Sequence, residues 1–96
     1  LKILETGNGF YNLECTCAIN VSLEEEGGKW YVRLYLGGVC INLLNFETEL
    51  DALKFQVAVL AEIRHFMWGD GSWRILKEIV SECMERSLMP VFEEDS

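Results

Sequence analysis

The chain contains a single histidine, His65, and Glu62 stands three residues before it. On a helix, that spacing places a carboxylate and an imidazole on one face, as di-iron carboxylate bundles do. Such a site draws a second Glu-x-x-His pair and two further carboxylates from neighbouring helices, and there is no second histidine to supply it. His65 therefore reads as a residue near a helix C-terminus, where the helix dipole favours its charge. Cys15, Cys17, Cys40 and Cys83 are enough thiols for a zinc site. Structural zinc, however, takes thiolates two to four residues apart on turns, and these fall as single members of strand and helix patterns. With one imidazole in the chain, no serine or cysteine nucleophile has a second base to draw on. Gly69-Asp70-Gly71-Ser72 precedes a helical pattern but lacks the lysine and the length of a phosphate loop, and Asp70 repels an anion. Glu47 and Glu49 belong to a helix start before they make a general acid/base pair. The inventory predicts a protein without enzymatic turnover, with no metal and no cofactor.

The elements carrying these residues are legible from periodicity. Ninety-six residues, half of them apolar and a quarter charged, suit one domain, taken as residues 1–90 with an acidic tail at 91–96. Leu1 to Thr6 is a short strand, closed by a hairpin turn at Gly7-Asn8-Gly9. From Tyr11 to Leu23 apolar and polar residues alternate, which predicts one long half-buried strand with Cys15 and Cys17 on its apolar face. Lys29–Leu36 and Val39–Phe46 follow, separated by glycine-pair turns at Gly27-Gly28 and Gly37-Gly38. Thr48, with Glu47, Glu49 and Asp51 about it, starts a helix predicted to run from Glu49 to Met67. It carries two apolar stripes: Leu50, Leu53, Val57, Leu60 and Ala61, and Ala52, Phe55, Val59, Ile63 and Phe66. A surface helix needs only one, so this helix is expected to be covered on two sides. A second helix is expected from Trp73 to about Leu88, with Pro90 as its stop. The order is β-β-β-β-α-α: an α+β fold in which a four-stranded antiparallel meander is followed by two helices packed on one face. The cysteines are expected to be reduced and buried, and the chain cytoplasmic. No apolar run is long enough to span a membrane.

Function is bounded mostly by charge and by exposed aromatic residues. The formal net charge is -8, of which residues 47–96 contribute -6 and residues 1–46 contribute -2. A free nucleic acid is a poor ligand for such a surface, and a basic protein partner a good one. Tyr31, Arg33 and Tyr35 share the sheet face opposite Trp30, Val32, Leu34 and Leu36, and residues of these types dominate binding hot spots. Trp68 and Trp73 flank the glycine loop, Trp73 being expected in the core. The candidate partner-binding residues are Tyr31, Arg33, Tyr35, Glu47, Glu49, Asp51, Trp68 and Asp70. The apolar surplus predicts a homodimer, with the first helix or a sheet edge at its interface.

Residues 28–52, with Phe46, Thr48 and Ala52 at a helix start, resemble the N-terminal arm-binding domains of tyrosine recombinases. The resemblance implies a three-stranded sheet running into a helix. Those domains line their sheet with lysine and arginine, where this segment has only Lys29 and Arg33, so the likeness extends to element order and not to DNA binding. In size, acidity and lack of catalytic groups the chain is also similar to small phage-encoded inhibitors, including anti-CRISPR proteins. Three functions are expected to compete: an acidic inhibitor that blocks a basic nucleic-acid-handling protein, a structural subunit of a larger complex, and a small-ligand module with a cleft lined by Trp68 and Trp73.

Overall fold

The structure, a computed structural model, describes residues 1–16 and 18–88. It is α+β, but its strands form two three-stranded sheets rather than one four-stranded meander. The elements are β1 (Ile3–Thr6), β2 (Gly9–Asn12), β3 (Ile19–Glu26), β4 (Lys29–Leu36), β5 (Val39–Phe46), α1 (Glu49–Trp68), β6 (Trp73–Ile75) and α2 (Leu76–Leu88).

The larger sheet is the antiparallel meander β3-β4-β5, running directly into α1. Glu26 pairs with Lys29, leaving Gly27 and Gly28 as a two-residue turn with φ of 61° and 83°. Only glycine takes two successive positive φ values without strain, and that turn twists as the strands do. In β5 the apolar residues change parity, from Val39 and Ile41 to Leu44 and Phe46. Val32 pairs with Leu44 and Arg33 with Asn42, so Leu43 is an extra residue, a β-bulge. That single insertion returns both apolar pairs to the face shared by Trp30, Val32, Leu34 and Leu36.

α1 covers this face. Thr48 is its N-cap, the side-chain oxygen accepting from the Asp51 amide at 3.2 Å. Ala52, Phe55, Val59, Ile63 and Phe66 are buried against the sheet's Val21, Val32, Leu34 and Leu36 in one cluster. Each large side chain removed from water there contributes about 1.5–3 kcal/mol. Gln56 reaches back to the Val21 carbonyl at 2.8 Å. Gly69 follows the helix because a Cβ there would lie 2.7 Å from the His65 carbonyl oxygen.

The predicted strand Tyr11–Leu23 is interrupted. β2 ends at Asn12, whose side chain accepts from the Glu14 amide at 3.1 Å and starts a 3-10 turn over Leu13–Cys15. The Leu13 amide donates to the Lys2 carbonyl at 2.8 Å, and Leu13 is buried there. Alternation alone cannot register a side chain that bonds its own backbone. The hairpin β1–β2 therefore does not join the meander. Its β1 strand pairs in parallel with β6, a strand the sequence reading had placed in the second helix, so that helix begins at Leu76 and not at Trp73. α2 buries Leu76, Ile79 and Cys83 and packs on α1, β1 and β6. The two helices thus do not lie side by side on one sheet face as expected; α1 takes the meander and α2 takes the small sheet's side.

Lys2 ties the loop after α1 to the N-terminal strand. It is buried, its ammonium donates to the carbonyls of Gly69 (2.6 Å) and Gly71 (2.5 Å), and it lies 5.4 Å from the Phe66 ring centroid. A cation at the C-terminal end of α1 meets both the helix dipole and carbonyls that no helical N–H satisfies. Lys2→Met keeps the apolar stem and leaves two carbonyls unpaired. It is expected to lower unfolding stability by about 1.5–3 kcal/mol, measured by urea denaturation, with amide exchange accelerated around residues 69–73.

Candidate functional site

The outward face of the meander holds the sequence-predicted Tyr31, Arg33 and Tyr35, opposite residues of β3 and β5 that complete a polar network. Arg33 is its centre. Its Nε donates to Asn42 Oδ1 at 2.6 Å, Nη1 to Glu24 Oε1, and Nη2 to Glu26 Oε1 at 2.8 Å, while the guanidinium stacks 4.7 Å from the Tyr31 ring centroid. The other Glu24 oxygen accepts from Ser22 Oγ and from the Tyr35 hydroxyl, both at 2.7 Å. Hydrogen bonds from Ser22, Tyr35 and Arg33 hold the Glu24 carboxyl at about 2, and the bond to Glu24 is the main cause that pushes the Tyr35 phenol up to about 12. The paired carboxylates raise Arg33 further above its ordinary value, Glu26 most. The Arg33 side chain is only 17% exposed. Each of its nitrogens already has a partner within the chain, so it is a strut that rigidifies the face and not an open arginine. Glu24 and Glu26, which organise the stripe, were not singled out from the sequence. The signal was their parity, opposite to Val21 and Leu23.

Register brings two distant acidic runs together. Glu26 pairs with Lys29, Trp30 with Phe46, and Lys29 Nζ lies 3.2 Å from Glu47 Oε2. The β3–β4 hairpin, with Glu24, Glu25 and Glu26, therefore sits at the same end of the sheet as the start of α1, with Glu47, Glu49 and Asp51. Six carboxylates lie at that end of the sheet, Glu24 and Glu26 on its outward face and Glu25 on the face of Trp30, with Lys29 and Arg33 as the ion-paired cations. Trp68 and Asp70 do not join them. They lie past the other end of α1, which at 1.5 Å per residue is about 29 Å away.

Among the described residues, the depressions that Trp68 lines do not include Trp73. Trp68 is 82% exposed and lines shallow depressions with Ala61, Arg64 and His65, and with Leu60 and Met67. Trp73, expected in the core, is exposed: it stands edge-on to Phe10 at 6.0 Å and donates to Glu5 Oε1 at 3.1 Å.

Among the described residues nothing covers the outer stripe of α1. Leu50 is 60%, Leu53 43% and Val57 57% exposed, and Ala61 is exposed with them; only Leu60 turns partly inward. The shortest dimension of the molecule is 19 Å, room for one sheet and one helix and no third layer.

Glu62 is taken up by structure. Its side chain is 13% exposed and bonds Arg74 at 3.2 Å and Arg86 at 3.0 Å, Arg74 also reaching Glu82 at 3.0 Å. Burial alone would raise the Glu62 carboxyl, but the two arginines outweigh it and hold it below its ordinary value. His65 is exposed. Cys15 and Cys40, expected to be buried, are exposed, because Cys15 falls on the 3-10 turn and Cys40 on the outward face of β5; Cys17 lies outside the described residues. Cys83 is buried as expected, and burial pushes its thiol up to about 11, away from the thiolate that nucleophilic chemistry needs. Among the described residues no three His, Cys, Asp or Glu side chains are grouped to hold a metal, and no helix is long and apolar enough to cross a membrane.

No protein-family model, curated protein or solved structure matches the chain.

The Glu24 network makes stability depend on pH at both extremes. A carboxyl held near 2 instead of 4.5 contributes fully above pH 4.5 and loses that contribution as pH falls toward 2. Tyr35, raised from 10 to about 12, contributes below pH 10 and loses it between 10 and 12. Denaturation midpoints across pH are expected to fall more shallowly on the acid side for Glu24→Gln, and on the alkaline side for Tyr35→Phe, than for the unaltered chain.

Proposed function

We propose that this chain is a non-enzymatic, cytoplasmic binding protein whose acidic end engages a basic, nucleic-acid-handling protein and blocks it. The observation that carries the reading is the meeting of Glu24–Glu26 with Glu47, Glu49 and Asp51 beside the Tyr31 side of the rigid sheet face. A surface of one sign attracts a partner of the other and speeds its encounter, and it repels a phosphate backbone. The Arg33 network adds pre-organisation: side chains already fixed lose little rotamer entropy when a partner docks. Of the predicted contact residues, Tyr31, Tyr35, Glu47, Glu49 and Asp51 fit this surface. Arg33 supports it from within, and Trp68 and Asp70 belong to the far end of α1.

The reading of a subunit in a larger assembly draws on a different observation, the exposed Leu50–Ala61 stripe. A small-ligand module draws on none, since Trp68 and Trp73 line no common cavity among the described residues.

The test is capture of partners from the native host by the immobilised chain. Raising salt from about 0.1 M to about 1 M shortens the screening length from about 10 Å to about 3 Å, and the captured partner is expected to be released. Glu25→Lys combined with Asp51→Lys is expected to abolish capture with the fold intact by circular dichroism. Capture indifferent to both salt and charge reversal would reject the acidic end as the contact.

A further inference from the structure

α1 has two opposite apolar faces and only one is occupied among the described residues. At 100° per residue, Ala52, Phe55, Val59, Ile63 and Phe66 cover about 80° of arc toward the sheet, and Leu50, Leu53, Val57, Ala61, Arg64 and Trp68 cover about 80° on the opposite side. The outer stripe runs the full 20 residues of the helix. An apolar row of that length, exposed at Leu50, Leu53 and Val57, is the seam that helices pair along.

Charge says what pairs with it. Glu47 and Glu49 stand at the N-terminal end of the stripe, with Lys54 beside Leu53, whereas Arg64 and His65 stand near its C-terminal end. Glu49 flanks the stripe on the side to which Arg64, within it, is offset, and neither makes an ion pair among the described residues. The face is therefore complementary to its own reverse. Two parallel copies would set Glu49 beside Glu49 and Arg64 beside Arg64. Two antiparallel copies set acid against base and oppose the helix dipoles favourably.

We propose that a second copy of this chain docks on the outer face of α1, the two helices antiparallel, with Val57 on the two-fold axis. Such an interface is self-complementary. Leu53 of one copy then lies opposite Ala61 of the other, and Glu49 and Leu50 opposite His65 and Arg64. Ala61, on the same exposed stripe, is small beside Val57, so the two axes approach closely where the Val57 side chains meet. The interface takes Glu49 from the acidic end but leaves Glu47 and the β3–β4 hairpin uncovered, so partner capture by a monomeric variant separates this inference from the acidic-end reading.

Sedimentation of the full chain between about 1 and 100 µM tests it. A dimer is expected, and Val57→Glu is expected to give a monomer with unchanged far-UV circular dichroism, since Val57 is exposed. Glu49→Arg and Arg64→Glu are each expected to weaken the dimer by about tenfold or more, and their combination to restore it. A monomer over the whole range, a dimer indifferent to Val57→Glu, or a double reversal that fails to restore association would overturn the proposal. Removal of residues 89–96 is expected to leave the dimer unchanged. A monomer that dimerises only after that removal would mean that the chain's own C-terminal residues occupy the stripe, which also overturns it. Partner capture by the monomeric Val57→Glu chain would show that the acidic end works without the dimer.

Discussion

The burial of one face of α1 against one face of the β3-β4-β5 meander is the constraint on which the other features depend. Val32 and Leu34 on the central strand and Phe55 and Val59 on the helix are withdrawn from water completely, and each such side chain contributes a large part of a small domain's net stability. Everything else must be arranged around a layer pair only 19 Å thick. Both outer faces of that pair reach solvent, and the chain treats them differently. The sheet's outer face is made polar and internally bonded, while the helix's outer face is left apolar.

The polar solution follows from pleat geometry. Asn42 stands directly across from Arg33, about 5 Å away. Glu24 and Glu26 lie two and four residues along β3 from its direct partner Ser22, on the same face and within the reach of the long arginine side chain. Two carboxylates against one guanidinium leave the face negative. Because Glu24 also accepts from Ser22 and Tyr35, the network holds its geometry without borrowing from a ligand. Side chains fixed in advance lose little freedom when a partner docks on such a face. Its titrating members are displaced toward 2 and toward 12.

The remainder of the chain is a brace. β6 pairs with β1 across most of the sequence, Lys2 holds the carbonyls of Gly69 and Gly71, and Glu62 links Arg74 of β6 with Arg86 of α2. These contacts fix the end of α1 and the placement of α2, leaving the length of the helix's outer face open. A buried carboxylate between two arginines is costly to break and contributes little net stability when intact, so its role here is to set where α2 lies.

Local periodicity in the sequence determined a good deal: the strands β4 and β5, the Ile19–Leu23 part of β3, the Thr48 cap, the start of α1, and both of its apolar stripes were legible there, as were Tyr31 and Tyr35 on the outward face. Each of these depends on residues within a turn or a strand of one another, and backbone geometry at that scale is set by neighbouring side chains. The β1–β6 pairing, the break of the Tyr11–Leu23 pattern at Asn12, the engagement of Arg33 by Glu24 and Glu26, and the convergence of the two acidic runs were decided only by the tertiary structure. The same holds for the uncovered stripe from Leu50 to Ala61. Periodicity states that a face is apolar, but whether that face is covered depends on how many layers the chain can build and where its distant segments run.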